Sequence, residues 1–174
     1  MNAKTVMPIL LVLAAAPAMA EPDGHFVSGV HERRLGYCIA SAAYGRPWLE
    51  KTLWGLRDQE AGRVGLEVRN ANGSYDLGPL QVNSWWVPKL ARMTDRTPDQ
   101  VRWWLVHDPC FNVDVARWIF LSALSETGSY WKAIGVYHSP TIQRQRRYVS
   151  AVAHRMRRRF GARIFGPATS TALP

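Results

Sequence analysis

The chain has 174 residues and a formal net charge of +9. This length suits one domain with one hydrophobic core and argues against a second domain. The charge is uneven, because no Asp or Glu follows Glu126 while eight arginines lie between Arg144 and Arg163. The C-terminal surface is therefore expected to attract polyanions.

Residues 1–20 are predicted to form a signal peptide. Lys4 precedes a short apolar stretch, which ends in the small-x-small cleavage pattern of Ala18-Met19-Ala20. The apolar stretch is shorter than the roughly 20 residues that a membrane-spanning helix needs. We therefore expect an exported mature chain that begins near residue 21 and has no membrane span.

Capping signals and apolar periods predict a mainly α domain over residues 21–163. A first helix is predicted over residues 30–44, and Pro47 begins a second that ends at Ala61-Gly62. The segment 62–83 is different, since it is dense in turn-forming residues and has no helical period. It is predicted to form a small β-hairpin or an ordered loop.

Four more helices are predicted after this segment. Thr97, with Pro98 and Gln100, forms a capping box for a helix that ends before Pro109. The next helix ends at Gly128, and Ser129 is predicted to cap the one after it. A long basic helix over residues 142–160 follows Thr141, with an apolar inner stripe of Tyr148, Val149, Val152, Met156 and Phe160. Residues 164–174 have no apolar period and are predicted to be a disordered tail.

Cys38 and Cys110 are the two cysteines of the chain. In an exported protein they are expected to form one disulfide, although two unpaired buried thiols are the alternative. Without a CxxC or an HxxxH pattern beside them, the chain is not expected to bind a metal.

Glu60 is the strongest candidate for a catalytic residue. It continues an apolar stripe with steps of four and three residues, formed by Leu49, Leu53 and Leu56. The stripe predicts that the carboxyl faces the core, and burial raises a carboxyl pKa. Its place in the last turn of a helix also disfavours ionisation. A protonated carboxyl at neutral pH suits an acid that protonates a leaving sugar oxygen. The alternative is an ion pair with Arg57 or Arg63.

Three motifs in this order resemble the lysozyme-like superfamily. Glu60 at a helix end is followed by Gly78-Pro79-Leu80-Gln81-Val82-Asn83, which matches the G-x-x-Q-[IV]-N turn. Val136-Tyr137-His138-Ser139 resembles the A-Y-N motif of soluble lytic transglycosylases. Residues 38–152 are similar to the TrbN-like lytic transglycosylases of conjugal transfer and type IV secretion, which share N-G-S-Y-D-x-G-P, D-P-C and Y-H-S patterns.

The resemblance implies a lysozyme-like α+β fold and a periplasmic peptidoglycan lytic transglycosylase that uses no cofactor. Glu60 would protonate the bond between N-acetylmuramic acid and N-acetylglucosamine, then take the proton of the muramyl 6-hydroxyl and leave a 1,6-anhydromuramyl end. The implied substrate-binding residues are Asn72, Ser74, Asp76, Gln81, Asn83, Trp85, Tyr137 and His138. Tyr137 is also expected to hydrogen-bond to Glu60.

Two positions depart from the family pattern. Ala61 follows the glutamate where many soluble lytic transglycosylases have Ser, and His138 follows the tyrosine where they have Asn. These departures put the contacts of the substrate's acetamido group in question. His138 can still donate a hydrogen bond, so we expect it to contact substrate rather than to act as a second catalyst.

Asp76 leaves the reaction type open. If its carboxyl lay roughly 5–5.5 Å from that of Glu60, the chain would suit a retaining muramidase that uses water. Alternatively, Asp76 caps its turn through backbone amides. A catalytically inactive peptidoglycan-binding protein is the other alternative.

The basic helix is the candidate surface for a second partner. We expect it to bind anionic wall polymer or subunits of a secretion or conjugation apparatus, with the protein a monomer. Nucleic acid is not expected, because the chain is exported and has no recognised nucleic-acid-binding module.

Overall fold

The computed structural model describes residues 24–166, and the side chains from residue 29 onward. The predicted signal peptide lies outside the described residues, and so do residues 167–174 of the predicted tail. Seven helices and three strands are described: α1 (Gly24–Ala42), α2 (Pro47–Glu60), β1 (Glu67–Arg69), β2 (Tyr75–Leu77), β3 (Val82–Asn83), α3 (Val87–Thr94), α4 (Pro98–His107), α5 (Pro109–Thr127), α6 (Tyr130–His138) and α7 (Ile142–Phe160).

The three strands form one antiparallel sheet in the order β1-β2-β3, directly after α2. Helices make up most of the remaining described chain. The predicted mainly α, lysozyme-like α+β fold is therefore confirmed, with the predicted hairpin enlarged by a short third strand. Across residues 24–166, no helix combines the length and the apolar character that crossing a bilayer requires.

α5 is central to the core and packs against α1, α4 and α6. Its inward residues Val113, Ala116 and Phe120 are fully buried and belong to the core. Cys110 in its first turn is bonded to Cys38 of α1. The predicted disulfide is confirmed, and it links α1 to the start of the central helix.

At the helix ends, some of the capping interactions predicted from the sequence are formed and others are not. The capping box of Thr97 and Gln100 is formed as predicted. Asp108 caps α5 by accepting hydrogen bonds from the amides of Cys110 and Phe111, which was not predicted. Ser129 does occupy the position before α6, but its side chain makes no capping bond, so that prediction was wrong. The hydroxyl of Thr127 instead bonds to the backbone of Ser129.

Helices α7 and α2 pack closely against each other. A Cβ at Gly55 of α2 would lie 2.5 Å from Cγ of Met156, so this contact requires glycine. Tyr148, Val152 and Met156 are buried on the inner face, while Val149 and Phe160 are partly buried. Helix α7 ends at Gly161 as predicted.

A 3-10 turn, Ala162–Phe165, follows α7. It includes the first residues of the predicted tail. Ile164 packs against the core, and the ring of Phe165 meets that of Trp131 edge-on at 5.1 Å.

One helix, α3, was not predicted. It has only eight residues, and its buried positions, Val87, Leu90 and Ala91, give too short a period to be recognised in the sequence. It follows a single 3-10 turn, Ser84–Trp86, at the end of β3. The sheet therefore passes directly into the helical half of the domain.

Candidate active site

Glu60 is the last residue of α2, and its carboxyl points inward. Leu49, Leu53 and Leu56 on the same face are fully buried, as the stripe predicted. The pKa of Glu60 is raised to about 7, because burial raises it strongly, a hydrogen bond from Tyr148 lowers it, and the charge of Asp76 raises it. A carboxyl with this pKa is partly protonated at neutral pH, which suits a general acid.

The alternative of an ion pair is not observed for Glu60 within residues 29–166. Arg57 bonds instead to Glu32, with 2.8 Å between Nη2 and Oε2. Helix α2 ends at Ala61, which has a left-handed φ of 52° and returns its amide to the carbonyl of Arg57. The helix therefore ends immediately after Glu60.

Tyr148 of α7 donates its hydroxyl hydrogen bond to Oε1 of Glu60. Sequence reasoning assigned Tyr148 only to the apolar stripe of α7 and expected Tyr137 in this role, so that prediction was wrong. The hydroxyl of Tyr137 donates to the carbonyl of Leu80 at 3.0 Å. The sequence did contain a signal for this contact, because a tyrosine in a buried apolar stripe needs a hydrogen-bond partner for its hydroxyl.

The first face of the site is a polar network on the sheet. Asp76 of β2 lies opposite Asn83 of β3, and Nδ2 of Asn83 donates to Oδ1 of Asp76 at 2.8 Å. The same amide donates to Oγ of Ser74, which in turn donates to Oδ1 of Asn72 at 2.8 Å. Asp76 is therefore held by a side-chain amide of the next strand.

The turn between β2 and β3 lies against the end of α2. A Cβ at Gly62 would lie 2.2 Å from the carbonyl oxygen of Gly78, so only glycine allows this approach. Gln81 has a positive φ of 48°, and its side-chain amide donates to the same Gly78 oxygen at 2.8 Å. Gln81 thus closes the turn in this structure, and Glu60 and the turn are fixed relative to each other.

Asn112 of α5 anchors this turn to the helical core, and it was not predicted from the sequence. Its side chain is fully buried and makes three hydrogen bonds. Oδ1 accepts from the amide of Leu80 at 2.9 Å, and Nδ2 donates to the carbonyls of Leu77 and Leu105, each at 2.8 Å. The available signal was a lone amide inside the apolar stripe of α5.

His138, at the end of α6, forms the opposite face of the site. Its ring stacks on Tyr148, with the ring centroids 4.4 Å apart and the planes parallel within 1°. Burial and the charge of Arg144 lower its pKa, and the charge of Asp76 opposes them. The imidazole is therefore mainly neutral at pH 7 and able to donate or accept a hydrogen bond.

Trp85 follows the sheet and is 76% exposed, with its amide bonded to Oδ1 of Asn83 at 3.0 Å. Trp86 instead packs edge-on against Trp118 at 5.3 Å and lies against the core. Of the two adjacent tryptophans, only Trp85 presents its ring to solvent beside the polar network. Trp54, Trp104, Trp118 and Trp131 also pack against the core.

The predicted site residues thus fall into three groups. Glu60 and His138 form one group with Asp76, whose charge acts to raise the pKa of both. The polar network of Asn72, Ser74 and Asn83 supports Asp76, and Gln81 and Tyr137 fix the turn. Trp85 lies at the exposed edge. Among residues 24–166, no cluster of three or more His, Cys, Asp or Glu is arranged to hold a metal ion.

Replacing Tyr148 with Phe is expected to move the pH dependence of any activity that needs protonated Glu60. The hydrogen bond from Tyr148 lowers the pKa of Glu60, so its loss should raise that pKa above 7. The alkaline limb of the rate profile should then shift to higher pH. A pH series of initial rates measures the shift, and Tyr37→Phe, on an exposed tyrosine of α1, is the control. An unmoved limb would show that this hydrogen bond does not set the pKa.

No protein-family model matches the chain. It is similar to the protein named Invasion protein IagB from Salmonella typhimurium, strains SL1344 and LT2, and from Salmonella typhi. In each case 31% of 90 aligned residues are identical, covering 51% of this chain and 53% of the relative. The chain therefore spans about half the length of the curated relatives it matches.

Proposed function

We propose that this chain is a peptidoglycan lytic transglycosylase with Glu60 as its single acid and base. The observation that carries the proposal is the pKa of Glu60, which is raised to about 7, chiefly by burial, beside the polar network of the sheet. The motif resemblance supplies the substrate, a glycan strand of alternating N-acetylmuramic acid and N-acetylglucosamine. The similarity to IagB supports a relationship over half the chain.

In the first step, neutral Glu60 gives its proton to the oxygen of the bond between N-acetylmuramic acid and N-acetylglucosamine. That bond breaks, and the proton remains on the 4-hydroxyl of the departing N-acetylglucosamine. Positive charge develops at C1 of the muramyl ring, and the substrate's own acetamido oxygen stabilises it, as in substrate-assisted glycosidases. Tyr148 holds the new carboxylate by its hydrogen bond.

In the second step, the Glu60 carboxylate takes the proton of the muramyl 6-hydroxyl, and the 6-oxygen bonds to C1. The product is a 1,6-anhydromuramyl end, and Glu60 is neutral again. The remaining assignments are substrate contacts. We propose Trp85 for stacking on a sugar face, His138 for a hydrogen bond to the acetamido region, and Asn72, Ser74, Asp76, Gln81, Asn83 and Tyr137 for shaping the cleft.

A muramidase that uses water is the second candidate, and the charge of Asp76 favours it. Asp76 is near enough to Glu60 to raise its pKa, so a second carboxylate is within electrostatic reach of the acid. In a retaining hydrolase that carboxylate would be the nucleophile. In the transglycosylase, the Asp76 carboxylate would only stabilise the positive charge that develops at C1 of the muramyl ring.

Asp76→Asn separates these two candidates. In the transglycosylase, we expect at most about a tenfold loss of rate, since an amide keeps the shape and the 6-hydroxyl still ends the reaction. In the hydrolase, loss of the nucleophile should cost orders of magnitude. The measurement is mass spectrometry of muropeptides released from purified sacculi, with Asp114→Asn on α5 as the control. Reducing ends formed with water would overturn the transglycosylase.

The same assay tests whether the chain is an enzyme at all. Release of anhydromuropeptides by the wild-type protein but not by Glu60→Gln supports the proposal. Binding to sacculi with no release above that control would instead identify a peptidoglycan-binding protein that kept the fold.

Its cellular setting is also part of the proposal. We propose that the mature chain, whose folded domain comprises residues 21–163, lies in the periplasm after removal of the signal peptide. There it would act as a monomer that opens the wall locally for a conjugation or type IV secretion apparatus, which it would contact through helix α7. The motif resemblance supports this setting, and the name of the Salmonella relatives refers to invasion rather than conjugation.

A further inference from the structure

A basic cavity of about 460 Å³ lies between α2 and α7, on a surface that contains none of the active-site residues described above. Its lining consists of Arg57, Asp58, Arg155, Arg158 and Arg159. Four guanidinium groups thus face one carboxylate. The cavity is independent of the proposed catalytic function, and its charge is the feature to explain.

The single carboxylate is already neutralised. Arg159 holds both oxygens of Asp58, with its Nε at 2.6 Å from Oδ2 and its Nη2 at 2.8 Å from Oδ1. The guanidinium of Arg159 also lies over the ring of Trp54, 3.9 Å from the ring centroid. Two contacts therefore fix Arg159 in one orientation, and Asp58 has little charge left to repel an anion.

Of the other three arginines, Arg57 is paired with Glu32 and lies 3.7 Å from Asp58, whereas two leave positive charge unmatched. Arg57 bonds to Glu32 through Nη2, but its Nε is buried and has no hydrogen-bond partner in the described part of the chain. Within the same residues, neither Arg155 nor Arg158 takes part in an ion pair. A buried donor without a partner costs free energy unless a ligand or water accepts its hydrogen bond.

We propose that this cavity binds a phosphate group. All its cations are arginine, whose planar guanidinium forms two parallel hydrogen bonds to a phosphate or a carboxylate. Phosphate fits better here, because its oxygens can engage several guanidinium groups at once, whereas a carboxylate offers only two oxygens. The group could belong to a lipid headgroup or to free or polymer-linked phosphate, and one experiment distinguishes these sources.

The experiment is a titration of the folded mature protein with inorganic phosphate, followed by the NMR signals of the arginine Nε–H groups. The Nε–H of Arg57 is expected to shift in a saturable manner. Arg155→Gln with Arg158→Gln should weaken binding at least about tenfold, since the variant loses charge-assisted hydrogen bonds to the phosphate oxygens. Arg146→Gln with Arg147→Gln removes the same charge from exposed positions of α7 and should leave binding unchanged.

Three outcomes would overturn the proposal. Equal weakening by both variant pairs would indicate diffuse attraction to α7 rather than a site, and no shift at Arg57 would indicate an empty cavity. Tighter binding of malonate, a dicarboxylate of similar charge, would reassign the ligand.

Vesicles identify the source of the phosphate. Binding to phosphatidylcholine vesicles containing phosphatidylglycerol, but not to phosphatidylcholine alone, supports a lipid headgroup if the Arg155 and Arg158 variant loses it. Binding of inorganic phosphate without binding to either vesicle supports free or polymer-linked phosphate. Thermal melting confirms that both variant pairs are folded.

Discussion

Glu60→Gln is expected to lower the rate of glycan cleavage by roughly 10²–10⁴-fold, the usual contribution of a positioned general acid. The amide preserves the size of the side chain and can still accept the hydrogen bond from Tyr148, so the cleft should keep its shape. It carries no acidic proton, so the leaving oxygen cannot be protonated. Binding to sacculi should remain close to that of the wild-type protein.

The same substitution is expected to stabilise the fold at alkaline pH. The pKa of Glu60 is about 7 in the folded chain and 4.5 in the unfolded reference, so folding takes up a proton between these values. The associated stability is complete below pH 4.5 and is lost as pH rises through 7. Above that pH the buried carboxylate costs about 3 kcal/mol in the wild-type protein, and the amide avoids that cost.

Two measurements check these expectations together. Initial rates on purified sacculi give the activity, and urea denaturation at about pH 4 and about pH 8 gives the free energy of unfolding. Glu50→Gln, at the start of the same helix, is the control and should change neither. If Glu60→Gln lost activity but showed no gain in stability at the higher pH, the carboxyl would not be desolvated as the structure indicates. If activity persisted, Glu60 would not be the acid.

Asn112→Leu is expected to lower the free energy of unfolding by about 3 kcal/mol or more. The substitution leaves the amide of Leu80 and the carbonyls of Leu77 and Leu105 buried without partners, and each such group costs roughly 1–3 kcal/mol. The melting temperature should fall by roughly 10 °C for a domain of this size. Activity should fall as well, because the turn beside Glu60 loses its anchor.

Thermal melting and sacculus turnover measure both effects. Ser125→Leu, at an exposed position of the same helix, is the control and should melt near the wild-type temperature. Asn112→Asp provides a second measure, since its carboxylate would face two carbonyl oxygens and should destabilise the fold more at neutral than at acid pH. Identical melting of the Asn112→Leu and Ser125→Leu variants would mean that the anchor contributes little.

Local sequence signals predicted much of the helical framework. The capping box at Thr97 and the stripe that ends at Glu60 depend on residues within a few positions of each other, and both are observed. The short helix α3 was missed because its eight residues are too few to show a recognisable helical period of apolar residues. Ser129 occupies the predicted N-cap position but makes no capping bond, while the hydroxyl of Thr127 bonds to its backbone.

The site was less predictable because its contacts join distant parts of the chain. Tyr148 and Glu60 are 88 residues apart, and which tyrosine reaches the carboxyl depends on how α6 and α7 pack against α2. A motif placed Tyr137 in the cleft but could not show that the carbonyl of Leu80 takes its hydroxyl. Asn112 is 32 residues from the amide that it holds, so no local pattern marked it as an anchor.

In the proposed enzyme, the anchored turn would determine where the site can adapt to a glycan strand. Gly62 after α2, Asn112 of α5 and Tyr137 of α6 hold the turn from three different parts of the chain, so the backbone beside Glu60 is preorganised. Any conformational change on substrate binding would then occur at the outer edge of the sheet, where strand β1 and Trp85 are exposed. Under the proposed function, recognition of sugars and positioning of the proton donor would then belong to separate parts of one small domain.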